Sequence, residues 1–440
     1  MLKRRYVVCG VSARALGMFI EPIYKDFSSC AELAGLLDID PVRFKFCKET
    51  VPAAADVPVY LNTEFDKMIS ETRPDAVIVT GKDCTHFEYI IKALAADLDV
   101  ICEKPMCVNT REVVEVIRAE RKSKGRVICT FNYRYNPVHR KIREMILSGA
   151  VGRVTHVDLN WYIDIRHGSS YFNRWNRLRE NSGSLSIHKS SHHFDLVNWW
   201  IDGIPETVHA MGALNHYGPE GVFNPSKKDG RHCSTCDEKF ECAYFSRWWS
   251  RGQVQKVHDD HLDNFSLGRP ATQYDPALYR PDKCIFDSEI NIYDTYIANV
   301  GYRNGVLLNY SANFSTPYEG YRLAINGTHG RLETEEWGGV GKVSFPMGVE
   351  GRRFIDYYPI FDSLERIYIK DGVGGGHGGG DPLIREDIFF GPDPHRKYKC
   401  LADSQDALNS IAIGDAVFNS VTGGKIIRMQ EVLPPDIYDR

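Results

Sequence analysis

The sequence predicts an α/β chain of two domains: an N-terminal parallel, doubly wound sheet, and a C-terminal α+β domain built on a large, open, mainly antiparallel sheet. Three observations carry this expectation. The 440 residues exceed what one core usually holds, so more than one domain is expected. Over the first 130 residues, short apolar runs alternate with helix-like segments, the pattern of parallel strands joined by crossover helices. After about Gly152 the runs lengthen and alternate polar with apolar residues between Asn-Gly and other glycine turns, as antiparallel strands do.

Taken in order, the first domain, 1–130, is expected to hold strands at 5–9, 32–37, 76–79, 99–102 and 127–131, with helices over 64–71, 86–96 and 111–122. The second, 131–440, is expected to hold strands at 154–162, 291–302, 306–314 and 320–326 and helices over 192–201 and 404–421. Residues from about 217 to 283 lack periodicity and read as an insertion, and 372–380 is glycine-rich.

Composition narrows the partners. Lys plus Arg number 54 against 58 acidic residues, a net charge of -4, which gives no drive toward nucleic acid. No apolar run reaches the roughly 18 to 20 residues that span a bilayer, so no membrane partner is expected. The N-terminus lacks the apolar stretch of a secretory signal, which predicts a cytoplasmic protein. Twelve cysteines are too dilute for a disulfide scaffold, and Cys9, Cys102 and Cys129 sit in strand-like runs as small hydrophobes.

Gly10, Ser12, Ala13 and Arg14 follow the first strand in a dinucleotide fingerprint whose second glycine is replaced by serine and whose last position is Ala15. Small residues are needed there because backbone N–H groups approach a pyrophosphate closely. Asp38 ends the second strand, about 20 residues on, where a carboxylate accepts hydrogen bonds from a ribose. Its charge favours NAD over NADP, with Arg14 and Arg43 as the residues able to offset it.

Further on, Thr80 to His86, then Glu103-Lys104-Pro105, then Asn132-Tyr133-Arg134-Tyr135 form a series. This series resembles the Gfo/Idh/MocA family of nicotinamide-dependent oxidoreductases, whose mark is the Glu-Lys-Pro tripeptide, and 325–330 resembles that family's second-domain sheet. The resemblance implies an N-terminal Rossmann domain and a homo-oligomer acting on a small carbohydrate. It also implies a cofactor site drawn from Thr80, His86, Glu103, Lys104 and Asn132, with Lys104 reaching both cofactor and reacting hydroxyl. The family's second-domain helix carries Asp-x-Gly-x-His-x-x-Asp. Here His188, Lys189, Ser190, His192 and Asp195 occupy that stretch, with His188 and Ser190 replacing the first Asp and the Gly. On one continuous helix His188 and His192 share a face, with Asp195 three residues on, and these histidines are the expected acid–base groups beside Lys104. His193 reads as a core histidine. A two-histidine zinc site there lacks a third ligand.

Tyr162, Asp164, Arg166 and His167, followed by Trp175 and Arg177, offer the aromatic faces and polar arms of a sugar pocket, with Tyr135, Lys189, Asp195 and His377 as further substrate contacts. His377 lies in a glycine-rich stretch, 375–381, that resembles a loop some family members carry near the substrate. The expected reaction is hydride transfer from a secondary alcohol of a sugar, glycoside or polyol. A redox-neutral glycosidase, using transient C3 oxidation, elimination, water addition and re-reduction, is the alternative, with His188, Tyr135, Tyr162 or His167 as extra acid–base group. An NAD(H)-binding sensor is the third class.

Within the insertion, Cys233, Cys236 and Cys242, with Cys284 at its end, have the spacing of a structural zinc site; His232, His258 and His261 are substitutes, and an iron–sulfur cluster is the minor alternative.

Overall fold

The computed structural model describes residues 3–245, 274–275, 277–338, 353–370 and 376–438. They form two compact units: the described residues of 1–137, 272–279 and 372–412 make one, and those of 138–271, 280–371 and 413–440 make the other. The first unit opens with strands β1 (Arg4–Cys9), β2 (Ala31–Asp38), β3 (Val59–Leu61), β4 (Ala76–Val79), β5 (Asp99–Cys102) and β6 (Val127–Cys129). The second holds β7 (Val154–Asp164), β8 (Pro205–Ala213), β9 (Thr295–Tyr302), β10 (Leu307–Thr316), β11 (Glu319–Gly327), β12 (Gly330–Gly338), β13 (Arg353–Pro359) and β14 (Glu365–Ile369). Of the two short strands that follow, β15 (Ala402–Asp403) belongs to the first unit and β16 (Ile427–Arg428) to the second.

The first sheet runs β15-β6-β5-β4-β1-β2-β3 and is parallel except where β15 meets β6. All four residues of β4 are buried although successive side chains point to opposite faces, so both faces of this sheet are covered, as a doubly wound sheet requires. The second sheet runs β14-β13-β12-β11-β7-β10-β9-β8-β16, and only its β7–β10 pairing is parallel. In β10, Leu308, Tyr310, Ala312 and Phe314 are buried while their neighbours are exposed or half-exposed, so one face packs and the other does not. The helix Ser191–Ile201 is buried all round, with the Phe194 ring 4.8 Å from that of Tyr310. No helix of the described residues is long and apolar enough to cross a membrane.

Two expectations about organisation change. The first segment of the nucleotide unit runs to residue 137, and a late segment of the chain joins it. Phe389 packs its ring 5.2 Å from Tyr6 and 4.7 Å from Phe27, and Ala402 pairs with Cys129 as β15 extends the sheet. The insertion is divided as well. Residues 217–245 and 280–283 stay with the second unit, whereas 274–275 and 277–279 join the first, where the Tyr274 ring covers the Arg43 guanidinium at 4.6 Å and the Asp275 N–H donates to Asp40.

The zinc site expected of Cys233, Cys236, Cys242 and Cys284 is a correction. Among the described residues no group of three or more His, Cys, Asp or Glu side chains is arranged to hold a metal, and no disulfide links these four thiols. Burial holds Cys233 well above the ordinary thiol range and pushes Cys284 up to about 11. The cross-link is supplied by Asp282 instead. Its carboxylate accepts from His232 Nδ1 at 2.9 Å, from Arg280 at 3.1 Å and from the Ser234 hydroxyl, while the backbone pairs His232 with Lys283. Burial works against the Asp282 charge, yet these donors hold its pKa below the ordinary range. His258 and His261 lie outside the described residues.

A left-handed glycine in close backbone contact closes the first turn of this unit, at Gly10. Its φ is +92°, and a Cβ there would stand 2.4 Å from the Gly81 nitrogen. Gly10→Ala is therefore expected to destabilise the protein by about 2–4 kcal/mol, from left-handed strain and displaced backbone together. A chemical-denaturation midpoint unchanged from the parent would contradict this.

Candidate active site

In the first unit the end of β1, the end of β4 and the end of β5 meet at the Gly10 turn. Ser12 caps the helical run that begins at Ala13, its Oγ accepting from the Ala15 N–H at 3.1 Å. Thr80 is buried and its hydroxyl donates to the Gly10 carbonyl at 2.6 Å, which ties the turn to β4. The His86 ring sits between the carbonyls of Pro105 (Nδ1, 2.9 Å) and Gly81 (Nε2, 3.1 Å), joining the same turn to the Glu103-Lys104-Pro105 tripeptide. Asp38 accepts from the Val11 N–H at 2.6 Å and the Asp40 N–H at 2.9 Å, and burial raises its pKa against the lowering by these donors.

Of the two arginines able to offset Asp38, Arg43 lies close enough for its charge to lower the Asp38 pKa, whereas Arg14 is paired with other carboxylates. Arg43 is buried and donates through Nε and Nη2 to the Val11 carbonyl at 2.9 and 2.7 Å. Arg14 donates through Nε to Glu103 at 2.8 Å and through Nη1 to Asp381 at 2.8 Å. Burial opposes the charge on Arg14, but Glu103 and Asp381 hold its pKa above the usual arginine range. Asn132 completes the cluster, with Nδ2 donating to Asp381 at 2.5 Å and Oδ1 buried without a hydrogen-bond partner among the described residues.

Two residues of this cluster escape the motif reading. Asp381 is one; its only sequence signal is that it closes the glycine-rich stretch four residues after His377. Asp83 is the other. It is buried at the start of the helix Asp83–Ala95, where burial drives its carboxyl upward and the nearby charges of His86 and Lys104 pull it back. Lys104 itself is half-buried.

Tyr135, expected at the substrate, is a core residue. Its ring is fully buried, its hydroxyl donates to Asp387 at 2.6 Å, and Asp387 is paired in turn with Arg396. His377 has its ring 5.4 Å from that of Tyr133 and its Nδ1 3.2 Å from Asp381.

In the second unit the histidine stretch is not one helix. Leu185–His188 and Ser191–Ile201 are separate helices with Lys189 and Ser190 between them, so four-residue spacing does not place His188 and His192 on a common face. Lys189, His192 and Asp195 are buried, while His188 is half-buried, with its ring edge-on to Tyr171 (5.4 Å) and Trp175 (5.6 Å) and the Asn176 amide 3.2 Å from Nε2. His193 is a core histidine, stacked on Trp161 at 3.7 Å with Nδ1 2.7 Å from the Tyr310 hydroxyl. Ser190 explains one departure from the family pattern. Its hydroxyl lies 2.6 Å from those of both Tyr296 and Tyr310, so the extra oxygen joins two buried phenols.

The polar arms suggested near β7 divide. Asp164 caps the helix Ile165–Phe172, accepting from the Arg166 and His167 N–H groups at 2.8 Å. His167 is held by Glu319 at Nδ1 (2.9 Å) and by the Tyr171 hydroxyl at Nε2 (2.7 Å). Tyr162 is half-buried, its ring stacked 5.8 Å from that of Trp337. Arg177 is a strut rather than a ligand arm: it is buried and pairs with Asp287 at 3.0 Å and Glu289 at 3.2 Å.

A doubly wound parallel sheet with a glycine turn and an acidic residue at the end of its second strand is the architecture of a dinucleotide-binding domain. The comparisons agree. Residues 4–131 match the family described as "Oxidoreductase family, NAD-binding Rossmann fold", and residues 143–429 match "Oxidoreductase family, C-terminal alpha/beta domain". The chain belongs to this Gfo/Idh/MocA family. It is 51% identical over 430 residues to the putative oxidoreductase YteT of Bacillus subtilis, covering 98% of each chain. It is 28% identical over 166 residues to the 2,7-anhydro-N-acetylneuraminate hydratase of Escherichia coli, covering 36% of this chain and 42% of that one. Its fold resembles that of an aldose-aldose oxidoreductase from Caulobacter crescentus, with a TM-score of 0.61 at 15% identity, covering 97% of this chain and 100% of the other.

The phenol-linked serine gives a direct expectation. Ser190→Ala removes one partner from each of two buried hydroxyls, of which Tyr310 keeps His193, and is expected to cost about 1–3 kcal/mol, read as a lower urea midpoint. A variant as stable as the parent would show that the hydroxyls find other partners.

Proposed function

We propose that this protein transfers a hydride between a secondary alcohol carbon of a sugar, glycoside or polyol and NAD. The reading is supported chiefly by the cluster in the first unit, where the Gly10 turn, Glu103 and Asn132 are tied together beside Lys104. When bound, NAD supplies the carbon that accepts or returns the hydride. Gly10, Ser12, Ala13 and Thr80 form the turn that receives its pyrophosphate, Asp38 takes the ribose hydroxyls, and the unsatisfied Asn132 Oδ1 is an acceptor for a carboxamide N–H. The Asp38 carboxylate stands against a 2′-phosphate, which favours NAD over NADP, although Arg43 beside it partly offsets that charge.

Oxidation of an alcohol needs a group to take the hydroxyl proton and a donor to hold the developing oxyanion. His192 is assigned the first task and Lys104 the second. Asp195 lies one helical turn beyond His192 and orients the ligand, and His188, fixed by Asn176, is the reserve acid–base group. Trp175, Tyr162, Lys189 and His377 remain the candidate substrate contacts.

The redox-neutral glycosidase is kept as a second reading because of His167. A histidine held at Nδ1 by a carboxylate and at Nε2 by a phenol is equipped for the additional proton transfers of elimination and water addition. The likeness to a hydratase supports the same reading.

Incubation with a panel of sugars, polyols and aryl glycosides, following reduced nicotinamide and released aglycone together, separates the two. NADH formed in proportion to product supports the dehydrogenase; aglycone released with catalytic NAD and no net NADH supports the glycosidase. Lys104→Ala is expected to lower kcat/KM about 100-fold or more while NADH binding changes less than about threefold. Turnover preserved in that variant would overturn the assignment.

A further inference from the structure

The carboxylate of Asp381 gathers side chains from three separate segments of the first unit. Oδ2 accepts from Arg14 Nη1 at 2.8 Å and Oδ1 from Arg14 Nη2 at 3.2 Å, a forked pair. Oδ1 also accepts from Asn132 Nδ2 at 2.5 Å, and His377 Nδ1 lies 3.2 and 3.3 Å from the two oxygens. Through Arg14 the cluster extends to Glu103, next to Lys104.

We propose that Asp381 is a positioning residue of the cofactor site, one that fixes Arg14 and Asn132 in the arrangement that receives a nicotinamide dinucleotide. The proposal rests on the reading of the first unit as an NAD(H) site. Three observations carry it beyond a packing role. First, the helix Gly376–Phe389 is anchored without Asp381, by Phe389 against Tyr6 and Phe27 and by Asp387, which binds the Tyr135 hydroxyl and Arg396. Second, His377 holds a left-handed backbone beside two left-handed glycines at the cluster. His377, Gly378 and Gly379 have φ of 55°, 67° and 94°, and a Cβ on Gly380 would stand 2.4 Å from the Asn132 carbonyl. A left-handed non-glycine residue persists only where its surroundings hold it.

Third, the carboxylate settles which way Asn132 faces. A carboxylate only accepts, so Nδ2 must point at Asp381 and Oδ1 is left as a buried acceptor without a partner among the described residues. The same carboxylate, with Glu103, holds the Arg14 guanidinium at the tripeptide. Asp381 touches neither the hydride donor nor its acceptor in this account; it acts through Arg14 and Asn132.

The test uses the full chain and NADH itself, by fluorescence titration for Kd and stopped-flow for the release rate, at a temperature where every variant is folded by circular dichroism. Asp381→Asn is expected to raise the NADH Kd about tenfold, mainly through faster release, and Arg14→Lys, which keeps the charge but loses the fork, about fivefold. Because both act through one pair, the double variant is expected to fall within about twofold of the weaker single variant.

A packing role would lower the thermal midpoint and leave Kd and release unmoved in the folded variants, and that result overturns the proposal. Losses that multiply in the double variant overturn it as well. A parent protein that fails to bind NADH overturns the underlying reading of the unit, a distinct outcome. If Asp381→Asn does not fold, Arg14→Lys decides alone: binding and release equal to the parent refute the proposal.

Discussion

The first unit depends on how a single guanidinium is neutralised. Arg14 begins the helical run behind the glycine turn, and its charge lies between the carboxylates of Glu103 and Asp381. Removing one partner of a fully buried ion pair costs about 3–5 kcal/mol. The figure is smaller here, since the Arg14 side chain is 30% exposed and solvent screens part of the interaction. What matters more is the geometry: one planar fork fixes the glycine turn, the end of β5 and the Gly376–Phe389 helix against one another. Of the two carboxylates, Asp381 is the more completely committed. Burial alone would raise its pKa, but His377 and Arg14 hold it far below the ordinary carboxylate range, so it stays a charged acceptor.

The second unit uses neutral groups for the same end. Ser190, Tyr296, Tyr310 and His193 form a chain of buried hydroxyls ending on an imidazole, and they fix the turn from which the helix Ser191–Ile201 departs. Burial keeps the two phenols protonated, with Tyr310 well above its ordinary range. A buried polar chain is stable only when its members are satisfied. The hydroxyl at position 190 is therefore a structural substitution for the family's glycine, whereas the nearby His192 and Asp195 keep the residue types that the family pattern places at the substrate.

Most of the fold was legible because its signals are local. Ala76–Val79 and Asp99–Cys102 have the bounds their apolar runs predict, and β7, β10 and β11 fall within three residues of the alternation that marks them. Long-range effects were not legible. Nothing local in the stretch around Phe389 or Ala402 says that it completes the first sheet. The motif reading of Tyr135 failed because its partner, Asp387, is more than 250 positions away in the chain. The helical spacing of His188 and His192 was a sound inference from periodicity, but the helix breaks at Lys189 and Ser190, where the Ser190 hydroxyl meets two tyrosines. In the insertion, the cysteine spacing pointed to a metal, while the cross-link that forms is centred on Asp282, whose partners His232 and Ser234 lie about 50 residues earlier. Asp381 was hidden for a similar reason, as a lone acid at the end of a flexible-looking run, two of whose three partners, Arg14 and Asn132, come from elsewhere in the chain.

The account is tested most directly by the structure of the NADH complex at a resolution that fixes side-chain hydrogen bonds. It predicts the nicotinamide carboxamide donating to Asn132 Oδ1, with Arg14 still forked between Glu103 and Asp381. Finding Arg14 turned onto the pyrophosphate with Asp381 released, or the nicotinamide bound away from Asn132, would contradict it.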